Sequence, residues 1–440
     1  MSDSSMDAPG KGPRRKRNTA VFMTVLIVSL FIYLFYGLRG GIGGQFPSIW
    51  VKADNQPATN TMRGILDEIH MIDATVGWAS SWYDSGNSKR YTILRTTDAG
   101  VHWKVMLTCT PFLDRSQGKG AGFESCLSDF HSALVASVLE PEQNHQSRIF
   151  HTSDGGLTWQ STVINGQHMI ANPVFIDAQH GWVLVTDNFP GFDLSSLFIG
   201  QQIAIYRTTD GGQTWQRILS GDAHGSGDAF GTAPLIHDAH ITFSDASTGW
   251  LTGASYNNDN TSISWLYVTH DAGAIWHKVA VSFPAQSLIM WSPRFFTPQD
   301  GLLSVLTSGP APQYAHGTLF YVTHDGGKTW TPGVSLPFDV TNGEFIDMNH
   351  GWAVVDTMPE KTFYTTSDGW QHWTRGHMNT SLKRIYGFTF ISPNVGWALG
   401  TNAIASLPEP GGGLRTGDVI AVLKTMDGGQ TWQEIAHSNV

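Results

Sequence analysis

Seven aspartates recur along the chain in one setting, Thr-x-Asp-x-Gly-x-x-Trp. They are Asp98, Asp154, Asp210, Asp271, Asp325, Asp368 and Asp427, and their tryptophans are Trp103, Trp159, Trp215, Trp276, Trp330, Trp373 and Trp432. Evenly spaced carboxylates suggest metal ligation or acid–base chemistry. The neighbouring residues favour a structural role. An aspartate at the head of a tight turn can accept N–H bonds from the glycines after it, and glycine permits positive φ. The tryptophan then packs between neighbouring units and buries a large apolar surface.

Other chemistry-bearing residues are sparser. Glu68, Glu124 and Glu344 fall in the first strands of their repeat units, where Arg384 and Arg294 also fall. His224, His237, Asp238 and His240 cluster between the third and fourth units, but their spacing matches no metal motif, so no metal is assigned. The chain has no nucleotide-binding loop, nucleophile elbow or HExxH helix, and no cofactor is implied. Trp82, Tyr83, Tyr256 and Tyr314 read as loop aromatics able to stack on a sugar or a peptide. Phe189, Phe192 and Phe198 lie in an apolar loop, Asn188–Gly200, suited to a partner or a membrane surface.

These residues must be positioned by the repeat. Asp98 and Asp427 are six repeats apart, a mean period of about 55 residues, which marks a propeller or solenoid. A second motif, Gly-Trp after a polar turn, stands upstream at Gly77-Trp78, Gly181-Trp182, Gly249-Trp250, Gly351-Trp352 and Gly396-Trp397. The fifth unit has Gly301-Leu302, the second lacks the motif, and the sixth box has Trp370 where glycine is expected. Each unit reads as four short strands; in the third these are Ile170–Ile176, Trp182–Val185, Ile203–Arg207 and Trp215–Leu219. The fold class is therefore all-β, a seven-bladed β-propeller of four-stranded antiparallel blades over residues 63–440. Connections between strands one and two, and three and four, are short and constant. Length varies only on the opposite face, in Ser80–Lys89, Asp187–Gln202, Ala254–Ser262, Ser308–Gly317 and Thr401–Gly417, and in the blade-to-blade segments Thr108–Lys119 and Ser220–Pro234. Variable loops on a rigid scaffold are where binding usually resides.

The box resembles the Asp-box (BNR) repeat of sialidases and other propellers. Its pairing with Phe-x-Asp-x-x-x-Gly-Trp is most similar to the photosystem II stability/assembly factor family, across roughly residues 63–440. That resemblance implies a propeller acting as a scaffold or assembly factor. The sialidase resemblance implies three arginines holding a carboxylate, a Tyr–Glu nucleophile pair, an aspartic acid and a Phe-Arg-Ile-Pro segment. The nearest match to that segment is Pro293-Arg294-Phe295, in blade five. The expected function is protein or peptide binding, with a glycan-binding or glycan-hydrolysing propeller as the alternative.

Residues 1–18 carry five basic side chains, Lys11 and Arg14 to Arg17, against Asp3 and Asp7, although the whole chain is −10. The remainder is thus acidic, which argues against nucleic acid as a partner. Residues 19–38 form an uncharged apolar run of 20, long enough to cross a hydrocarbon core of about 30 Å. With the basic cluster before it, the run predicts one transmembrane helix, a cytoplasmic tail at 1–18, a linker at 39–62 and a propeller outside the cell membrane. The partner is then expected on the outer membrane surface. Cys109 and Cys126 lie 17 residues apart. An oxidising compartment would permit a disulfide between them, and two unpaired thiols are the other option.

Overall fold

The computed structural model describes residues 49–52, 61–84, 89–109, 126–142, 146–165, 168–169, 173–187, 202–221, 236–256, 262–284, 287–289, 291–308, 316–336, 338, 340–357, 360–376, 384–401 and 419–439. Seven antiparallel four-stranded sheets form the blades. We label the strands of each blade A to D from the axis outward. Blade 1 comprises Ile65–Met71, Gly77–Asp84, Lys89–Thr96 and Lys104–Cys109, and blade 2 Leu127–Phe130, Ala136–Glu142, Gln146–Thr152 and Thr158–Asn165. In blade 3, strand A is split into His168–Met169 and Val174–Phe175, followed by Gly181–Asp187, Gln202–Thr208 and Gln216–Gly221. Blade 4 comprises Ile236–Phe243, Gly249–Tyr256, Ser262–Thr269 and His277–Lys278. In blade 5, strand A is again split, into Ser287–Ile289 and Arg294–Phe295, followed by Gly301–Ser308, His316–Thr323 and Thr331–Leu336. Blade 6 comprises Val340–Phe345, Gly351–Thr357, Glu360–Thr366 and Thr374–Arg375, and blade 7 Arg384–Phe390, Gly396–Thr401, Val419–Thr425 and Gln433–Asn439.

Two further strands precede blade 1, one inside the segment read as a linker and one across its end. Strand β1 (Ile49–Lys52) adds to the outer edge of blade 2, antiparallel to strand D, with Ile49 opposite Ser161 and Lys52 opposite Thr158. Its Ile-Trp-Val core has the branched and aromatic composition that an edge strand favours. Strand β2 (Thr61–Arg63) pairs in parallel with the end of strand D of blade 7, Arg63 opposite Asn439. It passes through Gly64, at φ +89°, into strand A of blade 1. The last blade is thus tied to the segment that starts the first.

The joints between blades are aromatic and repeat around the ring. The Gly-Trp indole of blades 1, 3, 4 and 6 lies against the strand A phenylalanine of the next blade. Trp182 stacks on Phe243 at 3.7 Å between centroids, Trp250 on Phe295 at 4.1 Å and Trp352 on Phe390 at 3.6 Å. The same phenylalanine meets its own blade's box tryptophan edge-on, as in Phe243–Trp276 at 6.1 Å and Phe390–Trp432 at 6.0 Å. The indole N–H groups fix the register between blades. Trp182 donates to the box carbonyl of Ala272 (2.9 Å), Trp352 to that of Gly428 (2.9 Å), and Trp397 closes the ring by donating to Ala99 of blade 1 (2.8 Å).

The two irregular joints are filled differently. Blade 2 has Ser137 in place of the motif tryptophan, and His151 from strand C takes the space, stacked on Phe175 at 4.1 Å. Its Nε2–H donates to the Ala178 carbonyl (3.1 Å) and its Nδ1 accepts from the Ser137 hydroxyl (3.0 Å). Burial pushes this imidazole down to about 4, so it stays neutral. Blade 5 has Leu302, and the missing indole comes from the box of blade 6. Trp370 is buried at φ +66° and packs against Phe320 and Phe345 at 5.7 and 5.6 Å.

The described parts of several predicted loops belong to strands. Strand B of blade 1 continues to Asp84, which places Trp82 in the core opposite Ile65 and Tyr91 and Tyr83 half-buried beside it. The loop reading of these two is corrected: the alternating pattern Trp-Ala-Ser-Ser-Trp-Tyr continues the strand past the assigned end. Tyr256 likewise closes strand B of blade 4. Cys109, at the end of strand D of blade 1, is disulfide-bonded to Cys126, which precedes strand A of blade 2, with Cα atoms 6.8 Å apart. Reduction should cost about 3 kcal/mol of stability, the chain-entropy value for a loop of this length, read as a shifted urea midpoint with and without reductant. An unchanged midpoint would contradict it.

Candidate functional site

The box turn is a closed hydrogen-bond unit. In blade 5 the Thr323 hydroxyl donates to Asp325 Oδ1 (2.9 Å) and accepts from the Gly327 amide (2.9 Å). Asp325 accepts from the Thr329 amide (2.9 Å) and hydroxyl (2.6 Å). These bonds hold its carboxyl down at about 2. In this unit the glycine amide goes to the threonine rather than to the aspartate, which corrects the bonding expected from the motif. His102 and His372 replace the second threonine in blades 1 and 6, each with Nδ1 at 2.6 Å from its aspartate. Among the described residues no group of three or more His, Cys, Asp or Glu side chains is placed to hold a metal.

The axial channel has a different character. Strand A of each blade ends on a phenylalanine, or on Met71 in blade 1, and the residue before it holds one equivalent position in all seven blades. The resulting ring includes His70, Asp129, Arg294 and Glu344, with Val174, Thr242 and Thr389 at the uncharged positions. Asp129 accepts from the Phe175 amide (3.2 Å) and Glu344 from the Phe390 amide (2.9 Å), so both carboxylates also join blades. Above them, Glu68 accepts from the Ser128 hydroxyl (2.5 Å) and Asp67 from Ser80 (2.5 Å). Asp67 is the extra residue of a β-bulge between Leu66 and Glu68, which breaks the alternation of side chains and brings two neighbouring carboxylates to the channel. Strand A is bulged at the corresponding place in blades 4, 6 and 7.

Burial within the ring of blades raises Glu68, Asp129 and Glu344 to about 7. At Glu68 the charges of Asp67 and Asp129 add to the rise, and at Glu344 the Arg294 guanidinium opposes it. Asp67 remains open to channel water yet is surrounded by protein, and it rises to about 6. Burial, helped by Arg294 and His131, pushes His70 down to about 4. The channel therefore holds carboxyl groups that exchange protons near neutrality.

A pH dependence follows. The Glu68 carboxyl lies near its ordinary 4.5 when unfolded and at about 7 when folded, so the folded state retains a proton that the unfolded state has released between those values. Its contribution is present below pH 4.5 and is lost as pH rises to 7. The buried histidines act in the opposite sense, since acidification must charge them. Glu68→Gln separates the two effects: relative to the parent it should raise the melting temperature at pH 8.5 and leave it nearly unchanged at pH 5. Equal shifts at both pH values would contradict the raised carboxyl.

Glu68, Glu344 and Arg294, expected on first strands, all stand at the channel. Asp129 was legible from its place before Phe130, whereas Asp67 depends on the bulge. Arg384 opens strand A of blade 7 and His237 and Asp238 lie in strand A of blade 4, while His240 is half-buried there and pushed down to about 4 by burial. Glu124, Phe189, Phe192, Phe198, His224 and Tyr314 lie outside the described residues, as does the apolar run at 19–38. Among the described residues no helix is long and apolar enough to cross a membrane.

A family model for the BNR/Asp-box repeat matches residues 206–217 and 321–332. The chain carries BNR/Asp-box repeats. No curated protein matches it. Among solved structures, the β-propeller domain of the Trilobed protease from Pyrococcus furiosus is similar at 9% identity and a TM-score of 0.51, over 85% of this chain and 98% of that one. The GH74 xyloglucanase from Xanthomonas campestris aligns at 12% identity and TM-score 0.47, over 88% and 69%. The Hadza microbial sialidase Hz136 aligns at 14% and 0.41, over 90% and 86%. At these identities the likeness concerns the propeller fold alone.

Proposed function

We propose that this Asp-box propeller is a membrane-anchored, extracytoplasmic scaffold that binds a protein or peptide through its variable-loop face. One observation carries the reading: every connection of variable length leaves the same face of a ring whose opposite face is built from near-identical turns. The apolar run at 19–38 behind a basic cluster supports the anchor, and the Cys109–Cys126 disulfide supports an oxidising compartment. The paired motifs' similarity to photosystem II stability/assembly factors supports an assembly role.

The experiment combines topology with capture. Protease added to intact cells should degrade the propeller or release it by cutting between residues 39 and 48. Shortening residues 188–200 to a Gly-Ser linker should leave the melting temperature unchanged and weaken crosslinking to a membrane partner. Full protection until lysis would overturn the topology, and undiminished crosslinking would overturn the contact. The glycan-acting reading draws on the proton-holding carboxyls Glu68, Asp129 and Glu344. Turnover of a fluorogenic sialoside, abolished by Arg294→Ala or Glu344→Gln, would favour it over the scaffold.

A further inference from the structure

The two faces of the propeller differ in charge as well as in loop length. The turns of one face hold the seven box aspartates and also Asp73, Asp177, Asp245, Asp300 and Asp347 between strands A and B. These twelve carboxylates face one lysine, Lys328, within the same turns. Hydrogen bonds hold the aspartates ionised; Asp245, for example, lies at about 2 because bonds from Ser247 and Thr248 outweigh its partial burial. Arg95, Arg207 and Lys424 reach this face from their strands, Arg95 donating to the Ala133 carbonyl and the other two lying over Trp182 and Trp397, yet the twelve carboxylates outnumber these cations and leave the box face net acidic.

The polarity of β1 is a second, independent observation. Strand D of blade 2 begins at the box turn with Thr158 and ends toward the loop face with Asn165. Strand β1 is antiparallel to it, and Lys52 lies opposite Thr158. The chain therefore runs along the rim of blade 2 from the loop-face side toward the box-face side. Ile49, the first residue of β1, therefore lies at the loop-face end of that strand.

We infer that the anchored propeller is held with its loop face toward the bilayer and its Asp-box face away from it. This rests on the proposed membrane anchor at 19–38. The ten residues from 39 to 48 reach at most about 35 Å when extended, so the rim of blade 2 stays close to the lipid surface. The strand polarity puts Ile49, to which the tether is joined, at the loop-face end of β1, and the negative surface potential of an anionic bilayer repels the carboxylate-rich face. The surface that the variable loops face is accordingly the bilayer, and the box face looks into the compartment.

Full-length protein in vesicles containing one-quarter phosphatidylglycerol and an acceptor-labelled lipid tests the orientation by energy transfer. A single donor is attached at Lys328→Cys, in the box turn before strand D of blade 5, or at Ser335→Cys, near the other end of that strand; both sites are exposed. The native cysteines are already bonded to each other. Strand D from Thr331 to Ser335, at about 3.3 Å per residue, separates the sites by about 15 Å, so transfer from position 335 should clearly exceed that from 328. Trp50→Pro with Val51→Pro should shrink this difference, since one of two adjacent amides in an edge strand faces its neighbour. Equal transfer, or greater transfer from 328, in vesicle-bound protein would overturn the orientation and leave the anchor standing. Protein that fails to float with vesicles at all would overturn both.

Discussion

Leu302→Trp should destabilise the propeller by about 2 kcal/mol, as overpacking of a filled core does, and Trp370→Gly by about 3 kcal/mol, as loss of a buried indole does. The double variant should nevertheless lie closer to the parent than either single variant. In regular joints the strand B tryptophan of one blade lies where a side chain on the second box glycine of the next would point. A Cβ placed on Gly327 would come within 2.8 Å of Trp250 Nε1, and one on Gly156 within 3.2 Å of Trp78 Cη2. Blade 5 has Leu302 there, and blade 6 has Trp370 in place of the glycine, in one cluster with Phe320 and Phe345. The two departures occupy one joint. Trp370 also bears the strain of φ +66°, about 1 kcal/mol or more, which glycine relieves. Urea unfolding of the four variants should yield a favourable interaction energy of about 3 kcal/mol or more. Additive losses would show that the two positions do not share a space.

Trp182→Ala should cost about 4 kcal/mol, among the largest effects of any single truncation in the ring. The indole is fully buried, stacks on Phe243 at 9° between planes, and donates to the Ala272 carbonyl of the next blade. Alanine leaves both a cavity and an unsatisfied carbonyl, and the second adds about 1–3 kcal/mol to the first until water enters. Trp182→Phe keeps the stack and loses the donor, so it should cost about half as much. Chemical denaturation of both variants measures the difference. A loss below about 2 kcal/mol for the alanine variant would mean that blades 3 and 4 are held together elsewhere.

The propeller was legible because its determinants are local and repeated. A turn needs glycine at positive φ, an aspartate to accept the amide four residues on and a threonine to bond both, and these lie within eight residues of one another. Strand alternation then placed Glu68, Glu344 and Arg294 on axial strands. The channel's character was less legible. Asp67 joins Glu68 only because an inserted residue breaks the alternation, and nothing in Ile-Leu-Asp-Glu-Ile marks where a bulge falls. The carboxyls rise toward 7 because seven blades enclose them, a property of the closed ring rather than of any segment.

Trp82 shows the same division. Its sequence neighbourhood, before Tyr-Asp-Ser-Gly, reads as the start of a loop, and its burial is set by Ile65 and Tyr91 on neighbouring strands. Leu302 and Trp370 looked like separate lapses from two motifs, 68 positions apart; packing of blade 5 against blade 6 makes them one compensated joint. The sequence by itself determined the seven box turns, the strand alternation and the constancy of one face, since each depends on backbone conformation and hydrogen bonds within a few residues. Only the tertiary structure decided which carboxylates meet in the channel, how β1 and β2 tie the rim, and which indole fills each joint, because those depend on surfaces that come together only when the ring closes.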